Sequence, residues 1–256
     1  MTGDTSDDMS AGEAGGRAGG RAVAIVGAGG IGRALAQALL VRDDIGQVIL
    51  ISRRSDVSLE DPRGALVQVT LDVTDEEAVS GWLQGLPRLD WLINTVGMLH
   101  DENHGPEKSI RQFDSDHFLA SMRINCAPTL LLAKHAHALL KRSERGVFAT
   151  VSARVGSIED NGLGGWYSYR ASKAALNMAL KCLAIEWQRG SKSIRVAALH
   201  PGTTDTALSE PFQANVPDDK LFTPAFTAER LLERIDSLHD MPSGQFLAWD
   251  GERIPW

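Results

Sequence analysis

Tyr169 and Lys173 are the two side chains in this sequence whose types and spacing best suit proton transfer. They are four residues apart, so on a helix both would project from the same face. A phenol with a pKa of about 10 is a poor acid–base catalyst at neutral pH, and a nearby ammonium group stabilises the phenolate and lowers that pKa. The pair predicts a proton donor for a carbonyl that receives a hydride, although the same spacing is common on solvated helix faces.

A glycine-rich loop near the N-terminus could bind phosphate. Gly27, Gly29 and Gly32 match the pattern G-x-G-x-x-G, with Gly30 and Ile31 between them, and the loop follows an apolar run and precedes a helical pattern. Glycines allow a tight turn and let the backbone approach a pyrophosphate, while the helix N-terminus offers unpaired N–H groups and the positive end of its dipole. We predict a dinucleotide site rather than a purely structural turn.

The end of the second predicted strand indicates which dinucleotide is bound. An acidic residue there would bind the 2′-hydroxyl of the adenosine ribose, but this strand ends in Ser52, Arg53 and Arg54. Guanidinium groups bind phosphate through a planar fork, so these residues suit a 2′-phosphate. We predict NADP(H) rather than NAD, with two solvated surface arginines as the alternative and the nearby Asp56 as an opposing feature.

Short apolar runs alternate with segments of helical periodicity, and this pattern must position the candidate side chains. Strands are predicted at 22–26, 48–51, 66–71, 91–96, 147–152 and 194–199, with an added edge strand at 244–250. Helical spacing covers 31–41, 75–83, about 113–141 and about 167–188. The alternation predicts an α/β fold of the Rossmann type, a doubly wound, mostly parallel, seven-stranded sheet with helices on both faces of a single domain.

Composition limits the function classes. The 256 residues carry 26 Lys and Arg against 33 Asp and Glu, a net charge of −7, which argues against a nucleic-acid-binding module. Two distant cysteines make no disulfide framework, and no apolar run approaches the roughly 20 residues of a membrane span, so we expect a cytoplasmic protein. Residues 1–20 are rich in Gly, Ala, Ser and Asp and are predicted to be a disordered tail before a domain at 21–256.

Several short motifs occur in an order that resembles the short-chain dehydrogenase/reductase family across residues 22–256. They are the glycine loop, Leu71-Asp72-Val73, Asn94-Thr95-Val96-Gly97, Asn125, Tyr169-x-x-x-Lys173, and His200-Pro201-Gly202 followed by Thr206. Residues 152–158, 164–177 and 249–256 further resemble the C-factor and sniffer-like carbonyl reductase branch.

The resemblance implies three catalytic roles. Tyr169 would be the general acid in reduction and the general base in oxidation, and Lys173 would hold the nicotinamide ribose and depress the pKa of Tyr169. Asn125 would hold a water molecule that links Lys173 to solvent; the alternative is a helix asparagine satisfied by backbone groups.

The resemblance also implies cofactor contacts beyond the glycine loop. Asp72 and Val73 would contact the adenine, Asn94 and Gly97 would line the adenosine side, and the nicotinamide pocket would be shaped by Pro201, Gly202 and Thr206.

The sequence departs from the family pattern in two places. The glycine loop is one residue shorter than Thr-Gly-x-x-x-Gly-x-Gly, with Val26 in place of the threonine. The family commonly ends its fifth strand in Ser-Ser-x-x-Gly with the second serine catalytic, and here Ala153 occupies that position. Ser152, at the carboxyl end of the strand, is our first candidate for the missing hydroxyl and Ser157 the second; a third possibility is that no serine serves and activity is weak.

The remaining chemistry-bearing residues are assigned ordinary roles. His100 and His104, beside Asp101 and Glu102, are interpreted as polar loop residues near the mouth of the site, and no metal site is predicted. The loop near 99–115 and the segment 204–226 are expected to bound the substrate pocket, the latter as a mobile lid.

The sequence therefore predicts an NADP(H)-dependent oxidoreductase that interconverts a carbonyl and a hydroxyl on a small or medium-sized aldehyde or ketone. One alternative is a nucleotide-sensing signalling protein of the C-factor type, for which Ala153 would mark lost catalysis. Another is a related epimerase or dehydratase, although the C-terminal region is short for their substrate domain. Helices at 115–142 and 167–189 could form a homodimer or homotetramer.

Overall fold

A computed structural model describes residues 19–256, so most of the predicted tail at 1–20 lies outside the described residues. A turn at residues 19–20 leads into the first strand. The strands are β1 Arg21–Val26, β2 Ile45–Ser52, β3 Leu66–Thr70, β4 Trp91–Asn94, β5 Gly146–Val151, β6 Ile194–His200, β7 Thr203–Thr204, β8 Leu221–Phe222 and β9 Gln245–Ala248.

Seven of these strands form one sheet in the order β3-β2-β1-β4-β5-β6-β9, and every neighbouring pair is parallel. This confirms the predicted Rossmann-type, doubly wound, seven-stranded sheet, with β9 as the expected edge strand. The short pair β7-β8 forms a separate parallel ribbon. Strands β2 and β3 are added on one side of β1, and β4, β5, β6 and β9 are added on the other side. The strand order therefore reverses between β1 and β4, and a crevice lies at their carboxyl ends.

Successive side chains of each strand point to opposite faces of the sheet. Both faces are buried because helices cover each of them. In β1, Val23 and Ile25 belong to one core cluster and Ala24 and Val26 to the other. The helices are α1 Gly30–Leu40, α2 Glu76–Gln84, α3 Ser115–Asn125, α4 Ala127–Lys141, α5 Tyr167–Gln188 and α6 Pro224–Ser237. Helices α1 and α6 cover the first cluster, and α2, α4 and α5 cover the second.

The prediction of one continuous helix over about 113–141 is wrong, because the segment forms two helices. The chain leaves helical geometry at Cys126, with φ −115° and ψ −53°, and α4 carries Pro128 in its first turn. Proline has no N–H to donate to the carbonyl of Ile124, and its ring would collide with that carbonyl. The break places Asn125 at the end of α3, facing the loop that follows β4.

Helix α6 was not predicted. The segment 204–226, which includes the first residues of this helix, was interpreted as a lid. Thr223 caps it by accepting a hydrogen bond from the backbone of Phe226 at 3.2 Å, and Pro224 occupies the first turn. A threonine followed by proline is a common helix start, and the buried Leu231 and Ile235 lie on one face, so the signal was present in the sequence. Among residues 19–256, no helix has the length and apolar character needed to cross a membrane.

Candidate active site

The glycine loop is a tight turn in which neighbouring protein atoms leave no room for a side chain at Gly27 or Gly32. Gly27 has φ +99°, a conformation that favours glycine. A Cβ added to Gly32 would lie 1.8 Å from the carbonyl oxygen of Gly27, so α1 packs directly on the loop. Thr95, just after β4, fastens the turn by donating its hydroxyl to the carbonyls of Val26 and Gly27 at 2.9 and 3.0 Å. Thr95 was not predicted to have this role.

The same loop presents free backbone donors to the cavity. Helix α1 begins at Gly30 with no side-chain cap and no acidic residue in its first turn, so its first N–H groups have no protein partner. A Cβ added to Gly29 would meet nothing within 4 Å, whereas one on Gly30 would meet Thr206 Cγ2 at 2.5 Å. Gly29 therefore opens on space, and Ile31 lines the cavity beside it. This arrangement fits a pyrophosphate group.

The side chains of Arg53 and Arg54 lie exposed at the carboxyl end of β2, next to the glycine loop. Ser52 Oγ accepts a hydrogen bond from the backbone of Arg54 at 3.1 Å, and Arg54 Nε lies 3.8 Å from Asp56. Arg53 makes no hydrogen bond or ion pair with the described residues, so its guanidinium group is available to an anion.

Three predicted adenosine contacts use their side chains within the protein. Asp72 accepts hydrogen bonds from the backbone and hydroxyl of Thr74, which lower its pKa, with a smaller effect from Arg53. Val73 is buried in the second core cluster. Asn94 donates to Thr129 Oγ1 at 2.9 Å and accepts from the backbone of Val96. Any contact that Val73 or Asn94 makes with an adenosine is therefore through backbone atoms.

A cavity of about 520 Å³ extends from the glycine loop along the carboxyl ends of β4, β5 and β6. Tyr169 and Lys173 both line it, so the two groups share one environment as expected. Its apolar wall consists of Leu99, Val155, Trp166, Leu208, Phe212 and Val216. Gly97, Pro201, Gly202 and Thr206 also line the cavity.

Burial controls the protonation of this pair. It raises the pKa of Tyr169 and lowers the pKa of Lys173 to about 8. Desolvation is the cause of the raised pKa of Tyr169, and Lys173 Nζ lies 5.8 Å from the centroid of the phenol ring, so a lowering of this pKa by Lys173 stays a prediction. Lys173 Nζ donates a hydrogen bond to the carbonyl of Val151 at 3.1 Å. At neutral pH the phenol keeps its proton and Lys173 is mostly charged.

Asn125 clamps the loop after β4 onto α5. Its amide accepts from the backbone N–H of Met98 at 2.7 Å and donates to the carbonyl of Met98 at 2.8 Å and to Ser172 Oγ at 2.9 Å. A Cβ added to Gly97 would lie 3.5 Å from both Asn125 Oδ1 and Lys173 Nζ, so the space over Gly97 separates these two groups. Two of these three hydrogen bonds join the amide to the backbone of Met98 and the third joins it to a side chain, and the second lone pair of Oδ1 has no partner among the described residues.

The two candidate serines differ in their surroundings. Ser152 lines the cavity and donates its hydroxyl to Asn177 Oδ1 at 2.7 Å, while Asn177 Nδ2 is buried with no partner. Ser157 is buried away from the cavity lining, and its hydroxyl accepts from the backbone of Asp160 at 3.1 Å. Ala153 is half-buried and lines the cavity, so a methyl group occupies the position at which the resemblance led us to expect a serine.

His200 is a further polar group of the cavity that was noted only as part of a motif. Its Nδ1 accepts a hydrogen bond from the backbone of Arg154 at 3.3 Å, which leaves the ring proton on Nε2. Burial, aided by Arg154, lowers the pKa of His200 to about 4, so the ring is neutral at pH 7.

The turn after β6 requires glycine at position 202. Gly202 has φ +73°, and a Cβ added to it would lie 2.6 Å from the ring of Phe222.

The helix that carries Tyr169 begins in an unusual way. Its N-cap residue Trp166 adopts a left-handed conformation, φ 52° and ψ 44°, which costs a bulky residue of order 1–3 kcal/mol, and it provides no side-chain cap. The cap comes from Glu107, a buried residue of the loop after β4 that accepts hydrogen bonds from the backbone and hydroxyl of Ser168. Sixty-one residues separate Glu107 from Ser168, so no local pattern could have revealed this contact.

The fold and this site define an oxidoreductase that works by hydride transfer with a nicotinamide cofactor. Residues 21–217 match the profile of the short chain dehydrogenase family, and the chain belongs to that family. Over 239 residues it is 30 % identical to 1-hydroxy-2-glutathionyl-2-methyl-3-butene dehydrogenase of Rhodococcus sp. (strain AD45), covering 91 % of this chain and 99 % of that protein.

Relatives of the expected branch are found as well. The chain is 33 % identical over 108 residues to the C-signal of Myxococcus xanthus, which covers 42 % of this chain and 60 % of that protein. The NADPH-bound carbonyl reductase from chicken fatty liver superposes with a TM-score of 0.76 at 26 % identity, covering 93 % and 99 % of the two chains. The carbonyl reductase Sniffer of D. melanogaster has the same fold, with a TM-score of 0.81 at 22 % identity over 93 % and 100 %.

Proposed function

We propose that this protein is an NADP(H)-dependent oxidoreductase that interconverts a carbonyl and a hydroxyl group on a small or medium-sized substrate. The observation that carries the proposal is a shared cavity, which joins Tyr169 and Lys173 to the open backbone at Gly29. Such a cavity can hold a dinucleotide at one end and a reacting carbonyl at the other. When bound, the cofactor supplies the hydride, and the protein supplies orientation and the proton.

The residues that would hold the cofactor form four groups. The backbone from Gly27 to Gly32 would hold the pyrophosphate, and the open space beside Gly29 supports this. Ser52, Arg53 and Arg54 would hold the 2′-phosphate. The nicotinamide end would be bounded by Pro201, Gly202 and Thr206, with Asp72, Val73, Asn94 and Gly97 shaping the adenosine side.

The preference for NADP(H) over NAD rests on charge. The carboxyl end of β2 carries two exposed arginines and no carboxylate before Asp56. An acidic side chain at that edge would repel a 2′-phosphate, whereas a guanidinium group binds it. The NADPH in the carbonyl reductase from chicken fatty liver agrees with this choice.

Tyr169 is the proton donor of the proposed reduction. Its raised pKa keeps the phenol protonated at neutral pH, which is the form needed to protonate an oxygen that becomes an alkoxide. The ammonium group of Lys173 favours the phenolate left behind. A water molecule over Gly97, held by a hydrogen bond to Asn125 Oδ1, would relay a proton between Lys173 and solvent.

Ser152 is the proposed partner of the substrate oxygen. As placed, its single hydroxyl hydrogen is donated to Asn177 Oδ1. Rotating the Asn177 amide by 180° would let Nδ2, now without a partner, donate to Ser152 Oγ. The serine hydrogen would then be available to a carbonyl oxygen in the cavity, where a hydrogen bond stabilises developing negative charge.

The substrate end of the cavity favours an apolar or aromatic carbonyl compound. The rings of Trp166 and Phe212 lie 5.5 Å apart, and Leu99 and Val155 extend this apolar wall, with Arg154 lining the cavity beside Val155. Phe212 lies within the segment 204–226, which we propose closes over the substrate as a lid.

The decisive experiment measures NADPH oxidation with a panel of aldehydes and ketones of increasing apolar bulk. Tyr169→Phe should lower kcat by about 10² or more. Tyr167→Phe is the matched control, since Tyr167 is exposed two residues earlier on the same helix, and its activity should be unchanged. Equal activity of the two variants would overturn the assignment of Tyr169.

Ala153 favours one other function, a nucleotide-sensing signalling protein like the C-signal. The same panel separates the two proposals. Tight NADPH binding by fluorescence with no carbonyl-dependent oxidation would support the sensor, and turnover lost in Tyr169→Phe would support the enzyme.

We also propose that the chain forms a homodimer or homotetramer. Large apolar side chains on α3, α4 and α5 are exposed; they are Leu119, Leu130, Met178 and Ile185. A molar mass from light scattering that equals one chain at micromolar concentration would contradict this proposal.

A further inference from the structure

Three side chains on the loop after β4 and on α3 converge outside the cavity. They are Asp101, His104 and His117, and one ligand atom of each lies within 4.8 Å of the other two. His117 is 16 residues from Asp101 and is contributed by the first turn of α3, so the fold rather than local sequence brings it in. The sequence analysis interprets Asp101 and His104 as polar loop residues and predicts no metal site; His117 lies outside that group of residues.

The two distances from Asp101 to the histidines match those between ligands of one metal ion, and all three ligand atoms lie within 4.8 Å of one another. Asp101 Oδ2 lies 3.1 Å from His117 Nδ1 and 3.3 Å from His104 Nδ1. Two ligand atoms bound to zinc at about 2.0–2.1 Å with tetrahedral angles are roughly 3.3 Å apart. The three donors therefore need only small movements to share a cation placed between them.

The backbone holds the donors in place before any ion binds. Asp101 Oδ1 accepts hydrogen bonds from the N–H groups of Asn103 and His104, both at 2.8 Å, which folds the loop around the carboxylate. Asp114 caps α3 by accepting from the N–H of His117 at 2.7 Å. The rings of His104 and His117 stack with centroids 4.9 Å apart. Prior ordering of ligands reduces the entropy lost on binding.

The burial of the cluster leaves one side open to solvent. His117 has 3 % of its side chain exposed, whereas His104 and Asp101 have 41 % and 37 %. Two imidazoles and one carboxylate on one side of an ion leave a fourth tetrahedral position for water. Both rings would bind through Nδ1 as neutral imidazoles with the proton on Nε2, so the ion replaces the hydrogens that now join ring and carboxylate.

We propose that Asp101, His104 and His117 form a site for a divalent cation of the zinc type. The ion would tie the loop after β4 to α3, and this loop also carries Leu99 of the cavity wall and Glu107, the cap of the catalytic helix. The proposal does not depend on the proposed reaction, because none of the three ligands lines the cavity.

The test titrates the full chain, made without a histidine tag and dialysed against EDTA, with ZnCl₂ in a calorimeter. We expect one Zn²⁺ per chain and a higher unfolding temperature with zinc, since a ligand of the native state stabilises it. His104→Ala removes a half-exposed ligand and should weaken binding at least tenfold, and His117→Ala should do the same.

His135→Ala is the matched control. His135 Nε2 lies 3.2 Å from Glu76 Oε1, a histidine–carboxylate pair without a second histidine, so this variant should bind zinc as the parent does. Co²⁺ in place of Zn²⁺ should give visible absorption typical of a four-coordinate site, lost in His104→Ala. No zinc binding, or equal affinity in His104→Ala and His135→Ala, would overturn the proposal and leave a hydrogen-bonded cluster only.

Discussion

Both carboxyl oxygens of Glu107 lie 3.2 Å from the backbone nitrogen of Ser168, the residue that directly precedes Tyr169. Glu107, in the loop after β4, therefore caps the start of α5, because the N-cap residue Trp166 provides no side-chain hydrogen bond. The backbone of Trp166 also donates to the carbonyl of Glu107, at 2.5 Å. The position of the phenol in the cavity depends on this contact between distant segments.

Removing the Glu107 side chain should destabilise the protein and misplace Tyr169. In Glu107→Ala a buried N–H group loses its acceptor, which costs about 1–3 kcal/mol of unfolding free energy. Glu107→Gln keeps a carbonyl oxygen for Ser168 and should retain most of the stability and kcat. Urea unfolding and steady-state kinetics measure both effects. Glu102→Ala, in the exposed part of the same loop, should change neither, and equal stability of Glu107→Ala and Glu102→Ala would refute the prediction.

Two glycines of the phosphate loop should respond differently to alanine. The added Cβ of Gly29→Ala meets no protein atom, so the variant should fold normally but bind NADPH at least tenfold more weakly, because the methyl group occupies the path of the pyrophosphate. Gly32→Ala places its Cβ 1.8 Å from a backbone oxygen and should lower the unfolding temperature. Thermal unfolding and NADPH fluorescence titration separate the cases. Normal NADPH affinity in a folded Gly29→Ala protein would refute the phosphate site.

The cofactor preference should depend on Arg53. Arg53→Glu replaces an unpaired cation with an anion beside the expected 2′-phosphate, so the KM for NADPH should rise by roughly tenfold or more while that for NADH changes little. Arg189→Glu, an exposed site at the far end of α5, controls for the change in net charge. An equal rise of both KM values in Arg53→Glu would contradict the assignment of the 2′-phosphate site.

The rate of reduction should fall above pH 8. Burial lowers the pKa of Lys173 to about 8, and a lysine is charged below its pKa, so the ammonium group is lost as the pH rises through this value. A plot of kcat/KM against pH should show an alkaline limb near pH 8.

Lys173→Arg tests the cause of that limb. Arginine keeps its charge throughout this range, so the alkaline limb should disappear even though the different shape of the guanidinium group lowers the overall rate. Lys192→Met, an exposed lysine, should retain the limb. A limb near pH 8 that persists in Lys173→Arg would show that another group titrates.

The missing family hydroxyl should be supplied by Ser152. Ser152→Ala should lower kcat by about 10²-fold, within the range seen when a hydrogen-bond donor to a developing oxyanion is removed. Ser157→Ala is the matched control, because its hydroxyl serves the backbone of Asp160 and does not line the cavity. Ala153→Ser should restore activity to the Ser152→Ala protein. If Ser157→Ala loses more activity than Ser152→Ala, the choice between the serines is reversed.

The strand pattern and the spacing of the glycine loop were sufficient to predict the sheet and the tight turn between β1 and α1. Apolar runs in β1, β2 and β5 identify strands buried on both faces, and alternation with helices leads to parallel pairing. The four-residue spacing of Tyr169 and Lys173 likewise placed both groups on one side of α5, where the structure has them. These features are local, because they follow from neighbours a few residues apart.

Only the tertiary structure decided the electrostatics and the long-range contacts of the site. The pKa of Tyr169 depends on how completely the folded chain removes water from the phenol. The spacing of residues along the sequence does not predict this burial. Glu107 reaches α5 across 61 residues, and His117 reaches Asp101 across 16, because the sheet brings the loop after β4 beside both helices. Local patterns determine which elements form, whereas burial and contacts between distant segments determine what their side chains can do.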